Sequence, residues 1–131
     1  MPKTTDLHQV AKKALVIEDE GEMGLLLTIF LDPKELELDY VKDIMSAEAY
    51  LEAKQPSLII LDNKLPDGFG VDFITYIKKK YPGIKIIMIS GFGMVRDIAL
   101  ENGADIFLEK PFTKGEFDRA VASLLHTDAS N

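Results

Sequence analysis

The chain has 131 residues, 47% of them hydrophobic, with 15 basic against 22 acidic residues and a net charge of -7. That length suits one domain with a substantial core. The acidic balance leaves no Lys and Arg cluster of the kind that displaces counterions from nucleic acid, and the absence of cysteine excludes a disulfide scaffold, a Cys-based zinc site and a thiol nucleophile.

Apolar runs of strand length alternate with longer amphipathic stretches. Residues 1–12 are polar and are expected to form a flexible lead-in, and the first twenty residues hold only a four-residue apolar run at 14–17, too short for a signal-peptide core. The first strand is expected at 14–17 (ALVI), ending on Glu18-Asp19-Glu20. A helix at 21–31 would turn Met23, Leu26, Leu27 and Phe30 to the core and leave Leu25 and Ile29 outside. Its GLLLTIFL stretch is far short of the ~20 apolar residues that span a bilayer, so no membrane insertion is expected and a cytoplasmic setting is. LELDYV (36–41) alternates as an edge strand does, and a helix is expected at 46–54. SLIIL (57–61) is apolar throughout and halts on Asp62, followed by the loop NKLPDGFG.

The next helix, 69–80, closes on Lys78-Lys79-Lys80, where cations suit the helix dipole; these lysines read as a solvated helix end. IKIIMI (84–89) leads to Ser90-Gly91, and a helix at 94–102 stops at Gly103. DIFLE (105–109) leads to Lys110-Pro111. The last helix, 113–125, opens with TKGE, a capping box in which Thr113 and Glu116 satisfy free backbone N–H groups. Residues 126–131 read as a polar tail, and no DNA-binding segment is expected after residue 125.

Five βα units in alternation imply a parallel sheet with helices on both faces and right-handed crossovers. The expected fold is flavodoxin-like and doubly wound, with strand order 2-1-3-4-5 and its switch point between strands one and three. Parallel strands share one direction, so Glu18-Asp19, Asp62, Ser90 and Lys110 gather at one sheet edge, where open α/β folds bind ligands. Neighbouring strands lie ~4.8 Å apart, and two carboxylates at ~4 Å repel by about 4 kcal/mol at an effective dielectric of 20. A divalent cation offsets that cost, and oxygen ligands favour Mg²⁺ over zinc. With Lys110 as a point charge and Ser90 as a hydroxyl donor, the expected guest is a phosphoryl group, whose transfer asks mainly for positioning and charge neutralisation.

ALVIEDE, LIILDNKLPDGFG, IIMIS and GADIFLEKPF resemble the receiver domain of two-component response regulators, over about residues 13–125. The resemblance implies that Asp62 accepts a phosphoryl group from a phosphohistidine on a sensor histidine kinase or a histidine phosphotransfer protein. It implies that Asp19, Asp62, the backbone carbonyl of Lys64 and, through water, Glu18 hold Mg²⁺, and that Ser90 and Lys110 bind the phosphoryl oxygens. It also implies a cis Lys110–Pro111 bond, and a switch in which Ser90 moves and Phe107 follows, changing the face from helix four to helix five for an unknown output partner. Relatives dock their kinase on the first helix, which would use Leu25 and Ile29; scattered exposed leucine is also ordinary. The Lys64 side chain, two residues past Asp62, is a candidate to pair with the acyl phosphate.

Two features depart from the family pattern. Phe107 stands where Tyr is frequent, and SGFGM is expected to replace the start of the fourth helix with a flexible loop. Such a domain phosphorylates and dephosphorylates itself but turns over no metabolite. The alternatives are an unphosphorylated pseudo-receiver that serves only as an interaction module, and a Mg²⁺-dependent phosphohydrolase, whose haloacid-dehalogenase form wants Asp where Lys64 stands. An FMN carrier is disfavoured by the acidic loop after the first strand.

Overall fold

In the computed structural model, which describes residues 12–31 and 35–125, period-two packing decides where each strand's side chains go. The strands β1 (Lys12–Ile17), β2 (Leu36–Val41), β3 (Leu58–Asp62), β4 (Lys85–Ser90) and β5 (Ile106–Glu109) form one sheet. All its pairings are parallel, in the order β2-β1-β3-β4-β5. Successive side chains of a strand point to opposite faces. Leu15, Ile17, Ile59, Leu61, Ile86 and Met88 therefore fill one core layer, and Ala14, Val16, Leu58, Ile60, Ile87 and Ile89 fill the other. A strand buried on both sides must be apolar throughout, which is why these runs do not alternate.

Helices α1 (Glu22–Phe30) and α5 (Lys114–Leu125) cover the second layer through Met23, Leu27, Phe117, Ala120 and Val121. Helices α2 (Ile44–Ala53), α3 (Gly70–Lys80) and α4 (Arg96–Asn102) cover the first through Ala47, Leu51, Phe73, Ile74, Ile77 and Ala99. The capping box forms as expected: Thr113 N–H donates to Glu116 Oε1 at 2.8 Å, and Glu116 N–H donates to Thr113 Oγ1 at 3.0 Å. The Lys110–Pro111 bond is cis. Among the described residues no helix is long and apolar enough to cross a membrane.

Several boundaries differ from the sequence reading. Strand β1 begins at Lys12, opposite Leu36, so the ordered ladder takes in the last residue of the expected lead-in; residues 1–11 and the expected tail 126–131 lie outside the described residues. Asp62 and Ser90 are the last residues of their strands rather than the first beyond them. The fourth helix starts later than expected, since a 3₁₀ turn at Gly93–Val95 precedes Arg96. The three lysines closing α3 are not uniformly solvated either. Lys78 Nζ reaches Asp105 Oδ2 and the Ile84 carbonyl, both at 2.9 Å, and ties the end of the helix to the residues just before β4 and β5.

Candidate functional site

Asp62, Lys64, Ser90 and Lys110 line one cavity of about 260 Å³ together with Asp19, Glu20, Asn63 and Phe92. The parallel register brings them there. Ile17 pairs with Leu61, so the chain leaves β1 for Glu18-Asp19 beside the end of β3, and Asp62 pairs with Ile89, one residue before Ser90. Lys110 is placed by its own backbone, whose N–H donates to the Ser90 carbonyl at 2.9 Å.

The Asp62 side chain is 16% exposed, with Lys110 Nζ 3.8 Å from its Oδ1 and Asn63 N–H donating to the same oxygen at 2.8 Å. Its carboxyl pKa is raised above the usual value. Burial is the largest cause and the Glu18 charge adds to it, against the lowering pull of Lys110 and the N–H groups of Asn63 and Lys64. Burial of a carboxylate disfavours its charged form, so a cation or cationic ligand entering the cavity relieves a cost already present. Ser90 is only 2% exposed. Its Oγ accepts the Phe92 N–H at 3.0 Å, which leaves the hydroxyl proton free to be donated.

Two expected site residues have surroundings that the sequence did not reveal. Glu18 does not line this cavity. Its Oε1 accepts the Gly21 N–H at 3.0 Å and its Oε2 the Gly24 N–H at 3.3 Å, so the carboxylate expected to reach a metal through water also caps the first turn of α1. Phe107, expected to follow Ser90 on activation, is 6% exposed in the core layer beneath α3 and α4. The Arg96 guanidinium lies 5.8 Å from its ring centroid.

Sequence reasoning missed three residues around the site, two of them in the loop after Asp62. Asn63 is buried; its carbonyl accepts Gly70 N–H at 2.7 Å and its Oδ1 accepts Val71 N–H at 3.1 Å, which seats the start of α3 on the site. Asp67 accepts the N–H groups of Ile44 and Met45 at 2.9 and 3.0 Å, tying the loop to the start of α2. The signal for both was Asn and Asp in a Pro- and Gly-rich turn, where such side chains bond nearby backbone. Phe92, 58% exposed at the cavity rim, had no signal beyond its neighbouring glycines.

Among the described residues no three His, Cys, Asp or Glu side chains already stand in a metal-caging arrangement. Mg²⁺ does not require one, because it keeps several waters and takes one or two carboxylates. Asp19 and Asp62 facing one cavity satisfy that demand with oxygen donors alone.

The response regulator receiver domain profile matches residues 14–122. The response regulator protein PilR of Pseudomonas aeruginosa is 33% identical over 116 residues, 87% of this chain and 26% of that protein. The phosphate regulon transcriptional regulatory protein PhoB of Escherichia coli is 30% identical over 120 residues, 88% of this chain and 52% of its own length. The chain thus spans about a quarter to a half of the curated relatives it matches. Among solved structures, the response regulator TrrA of Thermotoga maritima, in complex with Mg²⁺-BeF, superposes with a TM-score of 0.79 at 29% identity, covering 87% of this chain and 99% of that one. A five-stranded parallel sheet in this order, a profile match over most of its length and relatives at 30% identity or better place the chain in the response regulator receiver domain family.

Proposed function

We propose that the chain is a phosphorylation-dependent signalling switch whose acceptor is Asp62. The observation that carries the reading is the convergence of Asp19, Asp62, Ser90 and Lys110 on one cavity at the switch point of the sheet. The donor is a phosphohistidine on a sensor histidine kinase or phosphotransfer protein. A carboxylate oxygen of Asp62 forms a bond to phosphorus while the bond from phosphorus to the imidazole nitrogen breaks. The imidazole keeps that electron pair and is protonated from solvent. Lys110 holds one phosphoryl oxygen by charge, and the Ser90 hydroxyl donates to another.

Mg²⁺, which the complexed relative TrrA holds with BeF, would be bound by Asp19, Asp62 and the Lys64 backbone carbonyl, and would supply charge neutralisation for the phosphoryl oxygens. The Lys64 side chain, exposed at the rim, would pair with the acyl phosphate. Leu25 and Ile29, 67% and 70% exposed on α1, offer the kinase an apolar contact. Modification would draw Ser90 toward the phosphoryl group, shift the Gly91–Val95 segment that hangs from its hydroxyl, and reset α4 with Arg96 and Phe107. Two alternative packings of such a region are how phosphorylation reaches a distant face. The domain so read turns over no metabolite and works in the cytoplasm on an output protein or domain, without itself contacting nucleic acid or inserting into membrane.

Incubation with acetyl phosphate tests this by intact mass. A single phosphoryl adduct is expected with Mg²⁺ and its loss is expected when the cation is chelated. No adduct under either condition would leave an unphosphorylated interaction module, and steady release of phosphate from a generic phosphate ester would point to a hydrolase.

A further inference from the structure

Two asparagines from distant parts of the chain meet at one residue. Val71, in the first turn of α3, donates its N–H to Asn63 Oδ1 at 3.1 Å and accepts Asn102 Nδ2 on its carbonyl at 2.7 Å. Asn63 follows Asp62 directly, whereas Asn102 is the last residue of α4, 31 residues beyond Val71. With Glu18 and Ser90, Asn63 is one of three buried polar side chains among the described residues. Its oxygen meets a need of α3, whose first N–H groups have no intrahelical partner and whose N-cap, Phe69, offers no side-chain acceptor. A carbonyl has two lone pairs, so the bond from Asn102 does not compete with the ladder of α3 itself.

The first turn of α3 rests directly on Asp62 and its neighbour. Gly70 N–H donates to the Asn63 carbonyl at 2.7 Å, and Asn63 N–H donates to Asp62 Oδ1 at 2.8 Å. A Cβ at Gly70 would collide with the Asp62 carbonyl, so α3 cannot tilt toward β3 without displacing that residue. From α4 to the carboxylate, hydrogen bonds therefore run without a gap through Asn102, Val71 and Asn63. Helix α4 is tied to the site at both ends. Its leading 3₁₀ turn follows Phe92, whose N–H is held by Ser90 Oγ. At its other end Gly103, with φ +120, stops the helix, and the Ala104 N–H returns to the Ala99 carbonyl at 2.9 Å. Asn102 thus projects from a fixed end.

We propose that Asn102 is a positioning residue for phosphoryl transfer to Asp62, acting through Val71 and Asn63. It touches neither the phosphoryl donor nor the reacting atoms. It holds the first turn of α3 in place, and that turn holds the acceptor. This role presupposes that Asp62 is the acceptor, as read above. In a reaction that depends on orientation, a misplacement of about 1 Å can cost on the order of 100-fold in rate, so release of one bond in the brace is large enough to measure.

Asn63→Ala, Asn102→Ala and the double variant form a cycle that tests it. Lys78→Met is the control, because it breaks the bonds to Asp105 and the Ile84 carbonyl at the opposite end of α3. Each protein is given acetyl phosphate and Mg²⁺ well below its melting midpoint, adduct formation is followed by intact mass, and far-UV circular dichroism confirms folding. Asn102→Ala should slow the reaction about fivefold and Asn63→Ala about tenfold. The double variant should also stay near tenfold, because either change opens the same chain of bonds, whereas independent sites would multiply to about fiftyfold. Lys78→Met should melt at a lower temperature yet keep its rate within about twofold, since a loss of stability alone does not misplace the acceptor in a folded protein.

A rate for Asn102→Ala within about twofold of the unaltered protein would overturn the proposal, as would multiplied losses in the double variant or equal slowing in Lys78→Met. Should Asn63→Ala not fold, Asn102→Ala decides alone, because position 102 is half-buried and alanine is well tolerated in a helix. An unaltered protein that takes up no phosphoryl group would instead overturn the acceptor reading, and the role of Asn102 with it.

Discussion

An Asp62→Asn protein should melt at a higher temperature than the unaltered protein at neutral pH and take up no phosphoryl group at all. The second half follows from chemistry, because a neutral amide is no nucleophile toward phosphorus under these conditions. The first half follows from linkage. The Asp62 pKa is raised in the folded state, burial being the largest cause, and the direction is net of the favourable Lys110 charge. Between the ordinary carboxylate value and the raised one, the folded state binds more protons than the unfolded state, so stability falls as pH rises through that window. At neutral pH, above the window, the full penalty is present.

Asparagine removes that penalty and keeps an oxygen to accept the Asn63 N–H. The lost partner is a lysine 43% exposed at 3.8 Å, and pairs of that kind contribute about 0–1 kcal/mol. The advantage of the variant should shrink as pH is lowered through the window and disappear below it, because Asp62 is then protonated in both states. Thermal melts of the two metal-free proteins across pH measure this. Equal midpoints at neutral pH, or an advantage that grows toward acid, would show that burial does not dominate at Asp62.

Gly70→Ala carries the other large effect. Gly70 begins α3 and its N–H donates to the Asn63 carbonyl at 2.7 Å. A Cβ there would collide with the Asp62 backbone carbonyl, and would stand 3.1 Å from both Leu61 Cγ and Met88 Cε. A backbone oxygen cannot swing aside as the end of a long side chain can, so α3 must lift away from the end of β3. Overpacking of this kind costs about 3 kcal/mol, roughly 10 °C in melting midpoint for a domain of this size. Phosphoryl uptake should slow as well, because the displaced carbonyl belongs to the acceptor residue. Gly83→Ala is the control: nothing lies within 4 Å of a Cβ at that position, and its effect should stay within about 0.5 kcal/mol. Similar losses in both variants would mean that the close approach at Gly70 is not what holds the site.

These predictions depend on features that the sequence revealed unequally. Strand order and the meeting of Asp19, Asp62, Ser90 and Lys110 were legible because β1, β3 and β4 are buried on both faces and so read as unbroken apolar runs ending in polar residues. The edge position of β2 was legible from its alternation. The capping box at Thr113 was legible because both partners lie within one turn.

Contacts across long sequence separations were not. Asp67 reaches the start of α2, 22 and 23 residues away in sequence, and Lys78 reaches Asp105, 27 residues away. Nothing in the local pattern around either residue points to so distant a partner. The backbone partners of Glu18 were hidden for a different reason. Three consecutive acidic residues beside a phosphoryl-accepting aspartate suggest one electrostatic purpose, while the partners that capture Glu18 are backbone N–H groups freed by the glycines at 21 and 24. Phe107 was placed in β5 by its apolar run, but its Arg96 neighbour from α4 was not legible. The start of α4 was obscured by the glycines at 91 and 93, which leave several backbone conformations open.

The most direct test of the account is to find which atom receives the phosphoryl group. The protein is incubated with acetyl phosphate and Mg²⁺, the acyl phosphate is reduced with borohydride, and the resulting homoserine is located by peptide sequencing. Homoserine at position 62 alone is the predicted result. A reduced side chain at Asp19, Glu20 or any other carboxylate, with Asp62 intact, would contradict it.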